Sequence, residues 1–257
     1  MVLKDKVAII TGGGKGIGRA ISRKFLDQGA DLVLVARTQE AMEEVAREGA
    51  ALGRQVLVVV GDASQEEVAR RAVERAVAAF GKIDILVNNT GIEGPSAPIT
   101  EIDLEEWDHG IKVNLNSAFL FCKHVIPIMK KAGQGCVINI SSLSGTRGLR
   151  GRSNYCASKW GMIGLARAVA EEVGPDNIRV NTVCPGAVAG PRIDRVMEKR
   201  AKEFGLSVEE MVAKTLQDTP LRRMVTEEEI AEVACFLASD AASGITGEEI
   251  IVSGGRR

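Results

Sequence analysis

Four apolar runs punctuate the first third of the chain: KVAII (6–10), DLVLVA (31–36), QVLVVV (55–60) and IDILVNN (83–89). Each is continuous rather than alternating, the pattern expected of a parallel strand buried on both faces. Between them lie GRAISRKFLDQGA, QEAMEEVAREGAALG and QEEVARRAVERAVAAFG, in which apolar positions recur at helical spacing. In the last of these, Val68, Ala72, Ala76 and Ala79 form a predicted inner stripe, while Glu66, Arg70, Arg71, Glu74 and Arg75 point outward. Strand, crossover helix and strand in alternation predict an α/β fold, a doubly wound parallel sheet with helices on both faces.

The pattern continues with a helix over 103–131, a strand at CVINISS (136–142), a helix over 153–173, a strand at IRVNTVCPG (178–186) and a last strand within EEIIVSGG (248–255). Nothing between these elements has the composition of a linker, so residues 1–257 are expected to form one domain. The irregular interval is 187–226, charged and containing the helix-like EEMVAKTLQ. It is either a surface excursion or a movable cover over a ligand crevice.

Composition then narrows the chemistry. With 34 acidic against 33 basic residues there is no positive field to attract nucleic acid. No run approaches the roughly 18 apolar residues of a membrane span, and MVLKDKVAII lacks the pattern of a signal peptide. Five cysteines, at 122, 136, 156, 184 and 235, match no metal-ligand spacing and read as buried thiols of a cytoplasmic protein. Only His109 and His124 are present, too few for a histidine-rich metal centre, and neither recommends itself as an essential base.

The stretch TGGGKGIGR (11–19) directly follows the first predicted strand and opens the first helix. Glycines at 12, 16 and 18 permit a tight turn, close ligand approach and close packing of helix on sheet. Backbone N–H groups at the start of that helix favour a pyrophosphate. The combination predicts a Rossmann-type dinucleotide site formed by Gly12, Lys15, Gly16, Ile17 and Gly18. Arg37, just past the second strand, offers a cation to the 2′-phosphate of NADP, where an acidic residue would instead bind the ribose hydroxyl of NAD. Lys15 is placed to close on the same phosphate, so NADP(H) is the expected cofactor and NAD(H) the alternative. Asp62 suits the adenine amino group; Asn88 and Gly91, in NNTG, let a ligand pass close to backbone.

Tyr155, the sole tyrosine, stands four residues before Lys159, so both project from one helix face about 5–6 Å apart at Cβ. An ammonium beside a phenol stabilises phenolate and suits the ring hydroxyl to general acid–base work. Ser142, at the end of the preceding strand, is placed to hold a substrate oxygen. Lys159 is also expected to contact nicotinamide ribose hydroxyls.

TGGGKGIG, NNTG and Ser142 with YCASK together resemble the short-chain dehydrogenase/reductase family over essentially the whole chain. Lys15 with Arg37 is similar to its NADP-preferring members, and the chain as a whole to its 3-oxoacyl-(acyl-carrier-protein) reductase-like proteins. The resemblance implies reversible carbonyl–alcohol oxidoreduction and gives Asn114 the role of anchoring a proton-relay water through a distorted helix. It places Pro185, Gly186 and Val188 at a turn near the nicotinamide, and implies a homotetramer. Two positions depart from it: Thr90 stands where alanine is usual, and Gly190 where a threonine often contacts the carboxamide. Permitted substrates are 3-oxoacyl thioesters, sugars, steroids and small secondary alcohols. Arg147, Arg150, Arg152, Arg192 and Arg195 either hold an anionic substrate or are solvated cations. A non-catalytic dinucleotide-binding module and a dehydratase or epimerase with retained nucleotide are the readings of other classes.

Overall fold

The computed structural model describes all 257 residues. Seven parallel strands form one sheet in the order β3-β2-β1-β4-β5-β6-β7. They are β1 (Val7–Thr11), β2 (Asp31–Ala36), β3 (Val56–Val60), β4 (Ile85–Asn88), β5 (Gly135–Ile140), β6 (Ile178–Pro185) and β7 (Glu249–Val252). The chain starts in the middle, builds outward to β3, then returns to β4 on the other side of β1. The loops after β1 and β4 therefore diverge, opening a crevice at the carboxyl ends of those strands.

Alternate strand residues supply opposite faces. Ala8, Ile10, Leu32 and Leu34 pack with α1 (Gly16–Asp27), α2 (Gln39–Ala51) and α9 (Glu227–Ala238) through Phe25, Met42 and Ile230. Ile9, Val33, Val35 and Leu86 pack the other way, against α3 (Glu66–Phe80), α5 (Ser117–Ala132) and α6 (Ser153–Val173) through Ala72, Phe121 and Val169. Phe25 and Phe121 are fully buried, each contributing about 2–3 kcal/mol by leaving water.

Several local expectations are corrected. Ala79 is exposed while Val77 and Phe80 of the same last turn pack against the core; Ala69 and Val73 complete the inner stripe instead. β3 is an edge strand and only half-buried, with Val60 in solvent. Its free carbonyls are covered from α3: Arg71 donates to Val60 O at 2.6 Å and Arg75 to Val58 O at 2.7 Å. Such capping removes acceptors that another chain's edge would otherwise pair with. The helix expected over 103–131 is α4 (Leu104–Ile111) and α5, joined by a π-helical segment at Lys112–Asn116.

The 187–226 interval folds as two helices, α7 (Pro191–Phe204) and α8 (Val208–Gln217), around a small core of Met197, Ala201 and Met211. Its ends are pinned together where Val188 pairs with Val225. α8 begins with a capping box: Ser207 Oγ accepts from Glu210 N–H at 3.1 Å while Glu210 accepts from Ser207 N–H at 2.8 Å. The α7 helix lines the crevice through Arg192, Ile193, Val196 and Arg200.

Candidate active site

One cleft of about 1050 Å³ runs along the carboxyl ends of the strands, large enough for a dinucleotide and a small substrate together. Gly12, Lys15, Gly16, Ile17, Gly18, Arg37, Asp62, Gly91, Ser142, Tyr155, Lys159, Pro185, Gly186 and Val188 all line it.

The glycine loop holds its shape through contacts that exclude a side chain. A Cβ on Gly18 would stand 2.1 Å from the Gly12 carbonyl oxygen, and Gly12 itself has a left-handed φ of +67°. At the start of α1 no side chain caps the helix and no acidic residue occupies the first turn. Those N–H groups are thus available to an anion, and the loop fits a dinucleotide diphosphate.

Of the cations at this end of the cleft, Arg19 and Arg23 are already committed. Arg19 pairs with Glu44 and Glu48 at 3.2 and 3.0 Å, and Arg23 with Glu48 at 2.7 Å. Lys15 and Arg37 are exposed and form no ion pair. Burial pushes the Asp62 carboxyl up, but Ser64 N–H, the Ser64 hydroxyl and the charges of Arg37 and Lys112 outweigh it and hold Asp62 below the usual range. Asp62 therefore presents an ionised acceptor.

Two predicted site residues, Asn88 and Asn114, do not line the cleft, and Asn88 lies well away from its chemistry. It is buried within β4, in register with Asn139 of β5, and its Nδ2 donates to Asn139 Oδ1 at 2.8 Å. The next residue is the one that faces the cleft. Asn89 lines the cleft and its Nδ2 donates to Thr11 O at 3.0 Å and Gly12 O at 3.3 Å, tying the β4 loop to the glycine loop.

β5 ends at Ile140, two residues earlier than expected, and Ser142 caps the short 3-10 turn that follows, accepting from Ser144 N–H at 3.1 Å. This turn presents the hydroxyl to Tyr155. Burial pushes the Tyr155 phenol up; the charges of Arg192 and Lys159, a hydrogen bond from Ser142 and the charge of Arg152 more than offset it. The phenol is held below its ordinary range. Lys159 is buried, its Nζ donates to Ile140 O at 2.9 Å and lies 5.9 Å from the Tyr155 ring centre. Burial holds this ammonium below its usual range, against the attraction of Tyr155.

Asn114 lies inside the π-helical segment and is fully buried. Its Oδ1 accepts from Ile92 N–H at 2.7 Å; its Nδ2 donates to Ile92 O at 3.2 Å and Ser158 Oγ at 3.1 Å. The amide clamps the β4 loop to α6. A Cβ at Gly91 would lie 3.2 Å from Asn114 Oδ1 and 3.4 Å from Lys159 Nζ, so this glycine keeps the two polar groups in reach of one point. Asn154, which the sequence does not single out, is also fully buried and donates to Trp107 O at 2.7 Å, fastening α6 to α4.

Arg192 takes on a second role in three dimensions, and Glu227 emerges only there. Arg192 is the strongest positive influence on Tyr155. Replacing it with glutamine is expected to move the rising, acid-side limb of kcat/KM for alcohol oxidation to higher pH, because the base is the phenolate and its depressed pKa rises when a cation is removed. An unmoved limb in the pH–rate profile would show that Arg192 does not tune the phenol. Glu227 fills the space beside Gly190: a Cβ there would stand 3.3 Å from its Oε1, and one at Gly16 3.4 Å. Burial, then Glu228, pushes the Glu227 carboxyl up. A carboxylate beside the glycine loop opposes a diphosphate. Glu227→Gln is therefore expected to tighten dinucleotide binding several-fold, with the gain growing as pH rises and the wild-type carboxyl ionises, as read by fluorescence titration.

A glycine loop at a helix N-terminus and a Ser–Tyr–Lys set on one cleft define a dinucleotide-dependent oxidoreductase of carbonyl and alcohol groups. Residues 12–257 match a family model described as enoyl-(acyl carrier protein) reductase. The chain is 39% identical over 255 residues to the 3-oxoacyl-(acyl-carrier-protein) reductase FabG of Chlamydia trachomatis, covering 99% of this chain and 98% of that one. Among solved structures, levodione reductase superposes with a TM-score of 0.93 at 34% identity, covering 98% of each chain. Xylitol dehydrogenase, solved with NAD+ bound, superposes at 0.95 and 29% identity, covering 99% of this chain and 100% of that one. The chain belongs to the short-chain dehydrogenase/reductase family.

Proposed function

We propose that the protein reversibly interconverts a carbonyl and a secondary alcohol with NADP(H), Tyr155 acting as general acid and base. The observation that carries this reading is the convergence of Tyr155, Ser142 and Lys159 on the cleft that the glycine loop also lines. When bound, the dinucleotide supplies hydride in reduction and accepts it in oxidation. Gly12, Lys15, Gly16, Ile17, Gly18, Arg37, Asp62, Gly91, Pro185, Gly186 and Val188 would hold it. Ser142 and Tyr155 bring two hydroxyls to one place, as an oxygen that gains or loses a proton requires. This convergence favours carbonyl chemistry over reduction of a carbon–carbon double bond. In reduction Tyr155 Oη gives its proton to the substrate oxygen; in oxidation the phenolate takes it back. Lys159 lowers the cost of the phenolate, and Asn114, sharing the Gly91 corner with Lys159 Nζ, is assigned the return of protons from solvent.

The unpaired Lys15 and Arg37 support NADP(H) over NAD(H), since two cations without carboxylates suit a phosphate dianion. Absorbance of reduced nicotinamide, followed over neutral and anionic carbonyls and alcohols with both cofactors, tests the whole reading. Turnover with higher kcat/KM for NADPH is expected. Tight dinucleotide binding with no turnover across the panel would instead make the protein a non-catalytic binding module.

The assembly is assigned as a homotetramer. Supporting this are Phe119 on α5 and Trp160 on α6, 49% and 51% exposed, and Ile251 on edge strand β7, 41% exposed. Light scattering is expected to give a particle of four chains, and Trp160→Arg a smaller one. A monomeric wild type would refute the assignment.

A further inference from the structure

Nine arginines line the cleft, and six of them, Arg147, Arg152, Arg192, Arg195, Arg200 and Arg256, lie away from the glycine loop and Arg37. They come from the β5–α6 loop, from α7 and from the C-terminal residues, segments far apart in the chain. Arg152 and Arg192 both act on Tyr155, Arg200 is repelled by Arg147 and Arg152, and Arg256 by Arg147 and Arg200. Arg147, Arg152, Arg192, Arg200 and Arg256 are thus linked in one cluster, of which Arg152 and Arg192 reach the reacting hydroxyl.

The protein supplies few counter-charges for them. Glu93 faces Lys199 at 3.3 Å and Arg195 at 4.0 Å, and Asp218 lies 3.4 Å from Arg256. Arg147 donates to the main-chain oxygen of Arg257, Glu93 acts on Arg152 and Glu203 on Arg200, yet no side-chain carboxylate lies within ion-pair distance of Arg147, Arg152, Arg192 or Arg200. Converging like charges in a partly dry cleft are costly unless an anion joins them.

Arg152 is the most telling member. It is 6% exposed, and its guanidinium carbon lies 5.0 Å from the Tyr155 ring centre. Its Nη2 donates to Glu93 O at 2.7 Å, while its Nε is buried with no acceptor. A guanidinium has five N–H donors, and one backbone carbonyl leaves most of them unmatched. Arg152 is the N-cap of α6, three residues before Tyr155, so a molecule touching both places an acceptor a few bonds from its reacting oxygen.

We infer that the substrate carries a carboxylate, bound in forked fashion by Arg152 and joined by Arg192, so that the reaction runs between a small oxo acid and the corresponding hydroxy acid. This deepens the oxidoreductase reading above and rests on it. The anion belongs to the reacting molecule and not to a carrier protein, because an acidic protein surface cannot reach a guanidinium that is 6% exposed.

Paired probes test the inference: 4-oxopentanoate and 4-oxocyclohexanecarboxylate, each against its methyl ester, with NADPH. For the wild type, kcat/KM is expected to favour the acids by about tenfold or more, the scale of one charge-assisted forked pair. Arg152→Gln is expected to bring the acid-to-ester ratio within about twofold of unity. Arg192→Gln, on the exposed face of α7 and without consequence for the core, is expected to lower the same ratio. Calorimetric titration of the acids and esters into the protein–NADPH complex gives a readout independent of turnover. Tighter binding of acid than ester without hydride transfer would uphold the carboxylate site and overturn the oxidoreductase reading. Equal acid and ester in both assays, a ratio untouched by both arginine variants, or a neutral 3-oxobutanoyl thioester outrunning every acid would overturn the inference.

Discussion

Tyr155→Phe is expected to lower kcat by about 10²–10⁴-fold while leaving the dinucleotide dissociation constant within about threefold of wild type. The substitution deletes one oxygen from a ring that keeps its packing against Arg152 and Lys159. It removes the proton carrier and leaves the glycine loop, Lys15 and Arg37 untouched. The loss is expected at every pH, because phenylalanine does not titrate, so the limb assigned to the phenol should vanish from the profile. Stopped-flow absorbance for kcat and fluorescence titration for binding separate the two quantities. Activity near wild type would mean that another group moves the proton and that the depressed phenol is incidental.

Arg37→Asp is expected to invert cofactor choice, changing the ratio of kcat/KM for NADPH over NADH on the order of 10²-fold or more. Arg37 is exposed at the head of α2 and pairs with no carboxylate, so its replacement leaves no partner stranded in the protein. The new carboxylate repels a 2′-phosphate and accepts from a 2′-hydroxyl, so both changes act in the same direction. Lys15 remains as the second cation, and Lys15→Ala in the same background should remove what preference for the phosphate persists. An unchanged ratio in Arg37→Asp would show that the phosphate is read elsewhere.

Both predictions rest on residues visible in the sequence, and the reason is locality. A glycine loop is a property of eight consecutive residues between a strand and a helix. Tyr155 and Lys159 are one helical turn apart, so their juxtaposition needs no tertiary information. Arg37 follows a strand whose end any parallel sheet would bring to the crevice. Neighbouring details are not legible in the sequence, for the opposite reason. Asn88 and Asn89 are adjacent and point to opposite sides of β4, and only the strand's register with β5 shows that Asn88 faces Asn139 while Asn89 reaches Gly12. The apolar run of β3 matches those of β1 and β2, yet its outer edge has no strand beside it. Asn114 in a helical sequence has no signal of its own; Ile92, 22 residues earlier, makes it a buried clamp.

The sequence by itself determined the sheet, the glycine loop and the Tyr155–Lys159 pair, because periodicity and short spacing are imposed by the backbone of each element. Tertiary structure alone decided that Glu227 meets Gly16 and Gly190, and that Arg152 and Arg192, from distant segments, act on one hydroxyl. Those encounters depend on where loops end after the whole sheet has formed, and the charge they concentrate is a property of the assembled cleft.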